Sequence, residues 1–123
     1  MKTILDYTRE KRLTAEEMAA DIVSRIDPAR ILLFGSVARG EARETSDIDL
    51  IVVSESSLSF KQRMNFLYTE IERHDEVDML WYTPDELEKM RVRSSFVRQA
   101  LKEAVILYER GPALEAVKGK AAP

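Results

Sequence analysis

Along the chain, the spacing of apolar residues switches between a helical period and short continuous runs. Ala15, Met18, Ala19, Ile22, Val23 and Ile26 recur three and four apart, which predicts a helix with one apolar stripe. Thr14 and Glu17 have the spacing of a capping box at its start, and Asp27-Pro28 stops it. "RILLFG" (Arg30–Gly35) reads as a buried strand, and "SVARG" after it as the first turn of a short helix. "SDIDLIVV" (Ser46–Val53) is a second strand, with Ile51 and Val53 on one face and Ile48, Leu50 and Val52 on the other. A strand that is apolar on both faces belongs inside an α/β sheet.

Ser54–Ser59 is a polar loop. A helix over about 59–73 follows, with Phe60, Met64, Leu67 and Ile71 on one stripe. Glu76–Tyr82 reads as a third strand, and Thr83–Glu86 opens a helix with Pro84 at its first position. A last helix over about 95–104 carries Phe96, Val97, Ala100, Leu101 and Ala104, and Val105–Glu109 is a short final strand. Residues 1–13 show no clear period, and the segment after Gly111-Pro112 is expected to fray. The fold class expected is α/β, a mixed sheet of three to four strands flanked by helices. It forms a single domain over 1–123, with its core at about 14–109 and a tail at 112–123.

Composition narrows the function classes. Of 123 residues 45 % are apolar, enough for one core. With no cysteine, disulfides and thiolate metal sites are excluded. No stretch has the length of a membrane span and the N-terminus has no apolar leader, so a soluble cytoplasmic protein is expected. A net charge of −3 provides no overall basic field, and no direct nucleic-acid binding is expected. The local cluster Lys89, Arg91, Arg93, Arg98 and Lys102 reads as a solvated helix face, with a phosphate or partner contact as the alternative.

The chemistry concentrates in Asp47, Asp49 and Asp78. Asp47 and Asp49 alternate onto one face of the second strand, at its start. A helical crossover makes the second and third strands parallel neighbours, so Asp78 starts at the same edge. Gly35-Ser36, at the end of the first strand, reaches that edge only if this strand runs antiparallel to the second. Three carboxylates at one edge repel one another unless a cation joins them. Such oxygen donors suit Mg²⁺, with Mn²⁺ as the alternative, and two ions can stabilise both oxygens of a phosphoryl displacement. Glycine at 35 allows close backbone approach, Ser36 brings a hydroxyl beside helix-start amides, and Arg39 is one turn further on, able to pair with a phosphate.

"GSVARGEARETSDIDLIV", followed by Asp78 in "VDML", resembles the minimal nucleotidyltransferases of the DNA polymerase β superfamily over about residues 14–109. The resemblance implies ATP as substrate and Mg²⁺ held by Asp47, Asp49 and Asp78. It also implies that Gly35 and Ser36 hold the triphosphate and that Asp78 helps deprotonate an acceptor hydroxyl. Minimal proteins of this kind are similar to antitoxins paired with HEPN-type ribonuclease toxins. That implies AMP transfer to a toxin tyrosine and a hetero-oligomer with the toxin. The alternatives are an antitoxin that acts by binding alone and a small-molecule adenylyltransferase of the aminoglycoside type. His74 reads as a loop residue, Trp81 as core, Tyr82 as a half-buried edge residue and Arg43 as solvated.

Overall fold

The computed structural model describes residues 1–111. The expected tail at 112–123 lies outside the described residues. The first helix, α1, spans Ile4–Ile26, ten residues longer at its start than the periodicity suggests. The capping box belongs to Thr3 and Asp6, not to Thr14 and Glu17. Thr14 sits mid-helix, its hydroxyl donating to the Glu10 carbonyl at 3.2 Å. The apolar stripe starts at Ala15 because the first half of α1 faces a polar loop, so its buried residues there are Thr8 and Lys11. Asp27 closes the helix in the left-handed region, as its early stop requires.

The remaining elements follow as β1 (Arg30–Phe34), α2 (Gly35–Arg39), β2 (Ile48–Val53), α3 (Phe60–Glu70), β3 (Val77–Tyr82), α4 (Pro84–Arg93), α5 (Ser95–Glu103) and β4 (Val105–Glu109). β2 begins at Ile48, which leaves Asp47 just ahead of the strand, and α3 is shorter than the stripe predicts. The sheet order is β3-β2-β1-β4, with β2 and β3 parallel and β1 antiparallel to both β2 and β4. The expected mixed sheet is therefore present, with the fourth strand added beside β1.

Two cores sandwich the sheet. Ile48, Leu50 and Val52 of β2 pack with Met18 and Ile22 of α1 and Leu67 of α3. Ile51 and Val53 pack on the other face with Leu87 of α4 and Val97 and Ala100 of α5. Trp81 lies in the first core, its indole N–H donating to the Ser54 carbonyl at 2.9 Å. Tyr82 is more buried than an edge residue and stacks on Phe60. Phe60 itself is exposed, so the α3 stripe is incomplete at its first turn. Among the described residues no helix is long and apolar enough to cross a membrane.

The outer edge of β3 is closed by side chains from α3. The Met79 amide donates to the Tyr68 hydroxyl at 2.7 Å, and Arg63 donates to the Trp81 carbonyl at 3.3 Å. Both groups would otherwise be free to pair with another strand. Arg63 is 1 % exposed. It forks onto both oxygens of Glu86 at 2.6 and 2.8 Å, locking α3 to the start of α4. Hydrogen bonds from Arg63 hold the Glu86 carboxyl down at about 2. A depressed acid stabilises the fold above its unfolded value of 4.5, and that support is lost as pH falls towards about 2. Because the Glu86 side chain is 40 % exposed, solvent tempers the effect, and Glu86→Gln should cost ~1–2 kcal/mol at neutral pH. Urea titrations at several pH values should show the variant losing less stability than the parent between pH 4.5 and about 2.

Candidate active site

The site begins with the strand register. Phe34 of β1 lies opposite Asp49 of β2, and Asp49 lies level with Asp78 of β3. Neighbouring strands run ~4.8 Å apart, so the two aspartates leave the same face side by side. That face is the one that carries Ile51 and Val53 under α4 and α5, at the end those helices leave open.

Gly35 follows Phe34 and turns the chain with φ +78°, a conformation open to glycine. A β-carbon there would lie 2.2 Å from Asp49 Oδ2 and 3.2 Å from its carboxyl carbon. The turn into α2 is thus packed directly on the Asp49 carboxylate. No side chain caps the start of α2.

The first half of α1 fixes the far end of this turn. Arg12 donates to the Val37 carbonyl at 3.2 Å, which the Gly40 amide also meets, and to the Ala38 carbonyl at 2.7 Å, near the end of α2. The Thr8 hydroxyl accepts from the Ala42 amide at 3.0 Å, and the buried Lys11 pairs with Asp75 ahead of β3 at 2.8 Å. These residues lie in the segment whose sequence shows no period. No apolar pattern marks them, because their partners are backbone groups and a carboxylate.

A cleft of about 490 Å³ opens over the aspartates, within the size range of small-molecule sites. Gly35, Arg39, Asp49 and Asp78 line it, together with Tyr68 of α3 and the α5 residues Phe96, Gln99 and Glu103. Ser36 and Asp47 do not line it, although Asp47 is close enough to act on the charge of Asp49. Asp47 and Asp78 are exposed, and Asp49 is half-buried. Burial raises the Asp49 carboxyl from 3.8 to about 6, with the charges of Asp78, Asp47 and Glu103 adding to the rise and Arg39 opposing it. Arg39 is held by Glu41 at 3.1 Å and by Glu103 at 2.5 Å.

The donor set is one that suits a hard divalent cation: several carboxylate oxygens and an excess of negative charge concentrated on Asp49. As the side chains stand, no group of three or more His, Cys, Asp or Glu among the described residues is gathered into a ready ligand cluster. The backbone register brings Asp49 and Asp78 together, and Asp47 stands just outside the strand. In the basic cluster, Arg91 pairs with Glu88 and Arg98 donates to the Arg91 and Val92 carbonyls, so part of it serves α4 and α5 themselves. His74 and Arg43 are exposed.

The family model described as "Nucleotidyltransferase domain" matches residues 16–107. The chain belongs to this nucleotidyltransferase family. A Methanocaldococcus jannaschii protein named "Putative protein adenylyltransferase" is 32 % identical over 79 residues, 64 % of this chain and 77 % of the relative. The crystal structure of a Sulfolobus solfataricus protein described as a "putative nucleotidyltransferase" superposes with a TM-score of 0.65. It covers 89 % of this chain and 90 % of its own at 22 % identity, a likeness of fold. A chain from the crystal structure of a toxin–antitoxin with AMP-PNP is 20 % identical, covering 85 % of this chain and 82 % of its own. Its TM-score is 0.46. The nucleotidyltransferase model takes in every residue of the cleft named above.

Two outcomes follow from the packing at Asp49. Gly35→Ala should lose ~1–3 kcal/mol of stability, since the new β-carbon meets both a forbidden φ and the Asp49 carboxylate. Chemical denaturation reads the loss. A raised acid works in the opposite sense to Glu86. The folded state holds the proton more tightly than the unfolded one, so stability falls as pH rises from 3.8 to about 6. Asp49→Asn should therefore melt higher than the parent at pH 7.5 in metal-free buffer, with the gap closing below pH 4.

Proposed function

We propose that this nucleotidyltransferase uses Mg²⁺ and ATP to transfer AMP to a hydroxyl on a partner protein. The acceptor is a tyrosine of a HEPN-type ribonuclease toxin, which the transfer silences. The observation that carries the reading is the level placement of Asp49 and Asp78 beside the Gly35 turn, which is packed on the Asp49 carboxylate. Similarity to a protein described as a protein adenylyltransferase supports a protein acceptor. So does the exposure of Asp47 and Asp78, which leaves room for a side chain presented from another surface.

Asp47, Asp49 and Asp78 are the residues that would hold divalent ions, which when bound neutralise charge on the phosphate chain and on the attacking oxygen. Gly35, which lines the cleft, and Ser36 beside it are the residues that would hold the phosphate chain. Arg39 supplies a fixed cation on the same wall of the cleft. The acceptor oxygen attacks the α-phosphorus, the bond to the bridging oxygen breaks, and pyrophosphate leaves. Asp78, exposed at the cleft, would take the hydroxyl proton. AMP on the toxin adds a bulky anion, which repels RNA phosphates.

The test is to incubate the purified protein with Mg²⁺, α-labelled ATP and the product of the neighbouring gene. Label and a mass gain of one or more AMP units should appear on a tyrosine of the partner. Chelation of the metal, or Asp47→Asn with Asp49→Asn, should lower transfer by at least ~10³-fold. A partner that stays unlabelled, yet is still neutralised by the double variant, would replace this reading with inhibition by binding alone.

A further inference from the structure

Glu103 is an unfavourable residue in an unfavourable place. It is the last residue of α5, where the helix end is already negative. Its side chain is only 12 % exposed, and its charge adds to the burden on Asp49. Among the described residues the cation paired with it is Arg39, whose Nη1 donates to Glu103 Oε2 at 2.5 Å. On its other side Arg39 Nε meets Glu41 at 3.1 Å, but Glu41 is 64 % exposed and is the softer of the two anchors. Arg39 Nη2 keeps its donors without a hydrogen-bond partner among the described residues. Glu103 and Arg39 both line the cleft, on α5 and α2, two helices that pack against each other.

We propose that Glu103 is a positioning residue, whose carboxylate holds the Arg39 guanidinium in the wall of the cleft and so presents Nη2 to the phosphate chain of a nucleoside triphosphate. This rests on the nucleotide-transfer reading above. An arginine on an unrestrained side chain loses rotamer entropy when it binds a phosphate. One already clamped at Nη1 has lost that freedom and keeps a planar face of donors for the anion. The placement also accounts for an acid whose charge acts on Asp49. Its repulsion is offset by the same guanidinium that it orients.

The experiment measures the Kd for Mg·ATP by calorimetry in the parent, Glu103→Ala, Glu103→Gln, Arg39→Ala and the Arg39→Ala/Glu103→Ala double variant, with melting temperatures of the metal-free proteins. Glu103→Ala should weaken Mg·ATP binding ~10-fold without lowering the metal-free melting temperature. Glu103→Gln, which keeps an acceptor oxygen, should fall in between. The double variant should bind no more weakly than Arg39→Ala alone, because Glu103 acts through Arg39. The proposal is overturned if Glu103→Ala binds Mg·ATP as the parent does, or if its loss adds in full to that of Arg39→Ala. A parent that binds no Mg·ATP overturns the nucleotide reading and this proposal together, whereas a parent that binds normally confines the failure to Glu103.

Discussion

Everything at the functional end of this molecule depends on one uncompensated charge, the Asp49 carboxylate. It sits in the middle strand pair of the sheet, with Phe34 on one side, Asp78 on the other and the Gly35 turn against it. Its strand leaves it no other place. Ile48, Leu50 and Val52 belong to one core, and Ile51 and Val53 to the other. A slip of one residue would turn the carboxylate into the apolar layer beneath α1 and α3. The hydrophobic pattern of β2 thus holds a half-buried acid where burial and three neighbouring carboxylates make ionisation costly.

Holding that charge requires a rigid frame around it, and the frame is polar. The connection from β1 to β2 runs through α2 and then a polar stretch to Asp47. It is kept in place by Arg12 on the carbonyls of α2 and by Thr8 on the Ala42 amide. Lys11 fixes the approach to β3 in the same way. Thr8, Lys11 and Arg12 on one face of α1 therefore serve the connection that carries the Gly35 turn and the strand that carries Asp78. On the opposite side, Arg63 and Tyr68 blunt the edge of β3, so the strand bearing Asp78 is closed to strand pairing and is approached over its face.

This division explains what the sequence shows and what it hides. The strands, the antiparallel return through α2 and the meeting of Asp49 with Asp78 follow from apolar runs and alternation, because burial decides them. The start of α1 is hidden, since Thr3, Thr8, Lys11 and Arg12 make hydrogen bonds that leave no periodic trace. Thr14 and Glu17 imitate a helix start because a capping box is only four residues of local pattern, and Thr3 with Asp6 fits it as well. Glu103 is hidden for a different reason. It lies more than fifty residues from Asp49 in sequence and ends a helix whose visible stripe is apolar, so only the fold brings it to the cleft. Asp47 shows the reverse: its place on the face of Asp49 is legible, yet it stands just before β2 and outside the lining of the cleft.

The balance of charge in the cleft gives the arrangement a direction. With Asp47, Asp49, Asp78 and Glu103 on one side and Arg39 on the other, the site is strongly negative on its own. A nucleoside triphosphate, itself an anion, is repelled from such a cleft unless cations arrive with it or before it. Arg39 alone cannot reverse the field, since two carboxylates already share its charge. In the proposed reaction its contribution would be geometric, a fixed fork of donors on the wall, while neutralisation would fall to divalent ions held by the aspartates. On that proposal the site would discriminate against free nucleotide and favour the metal-bound form. The cost of ionising Asp49 without a cation would be the energetic counterpart of that preference: a cation that relieved the repulsion would also stabilise the fold.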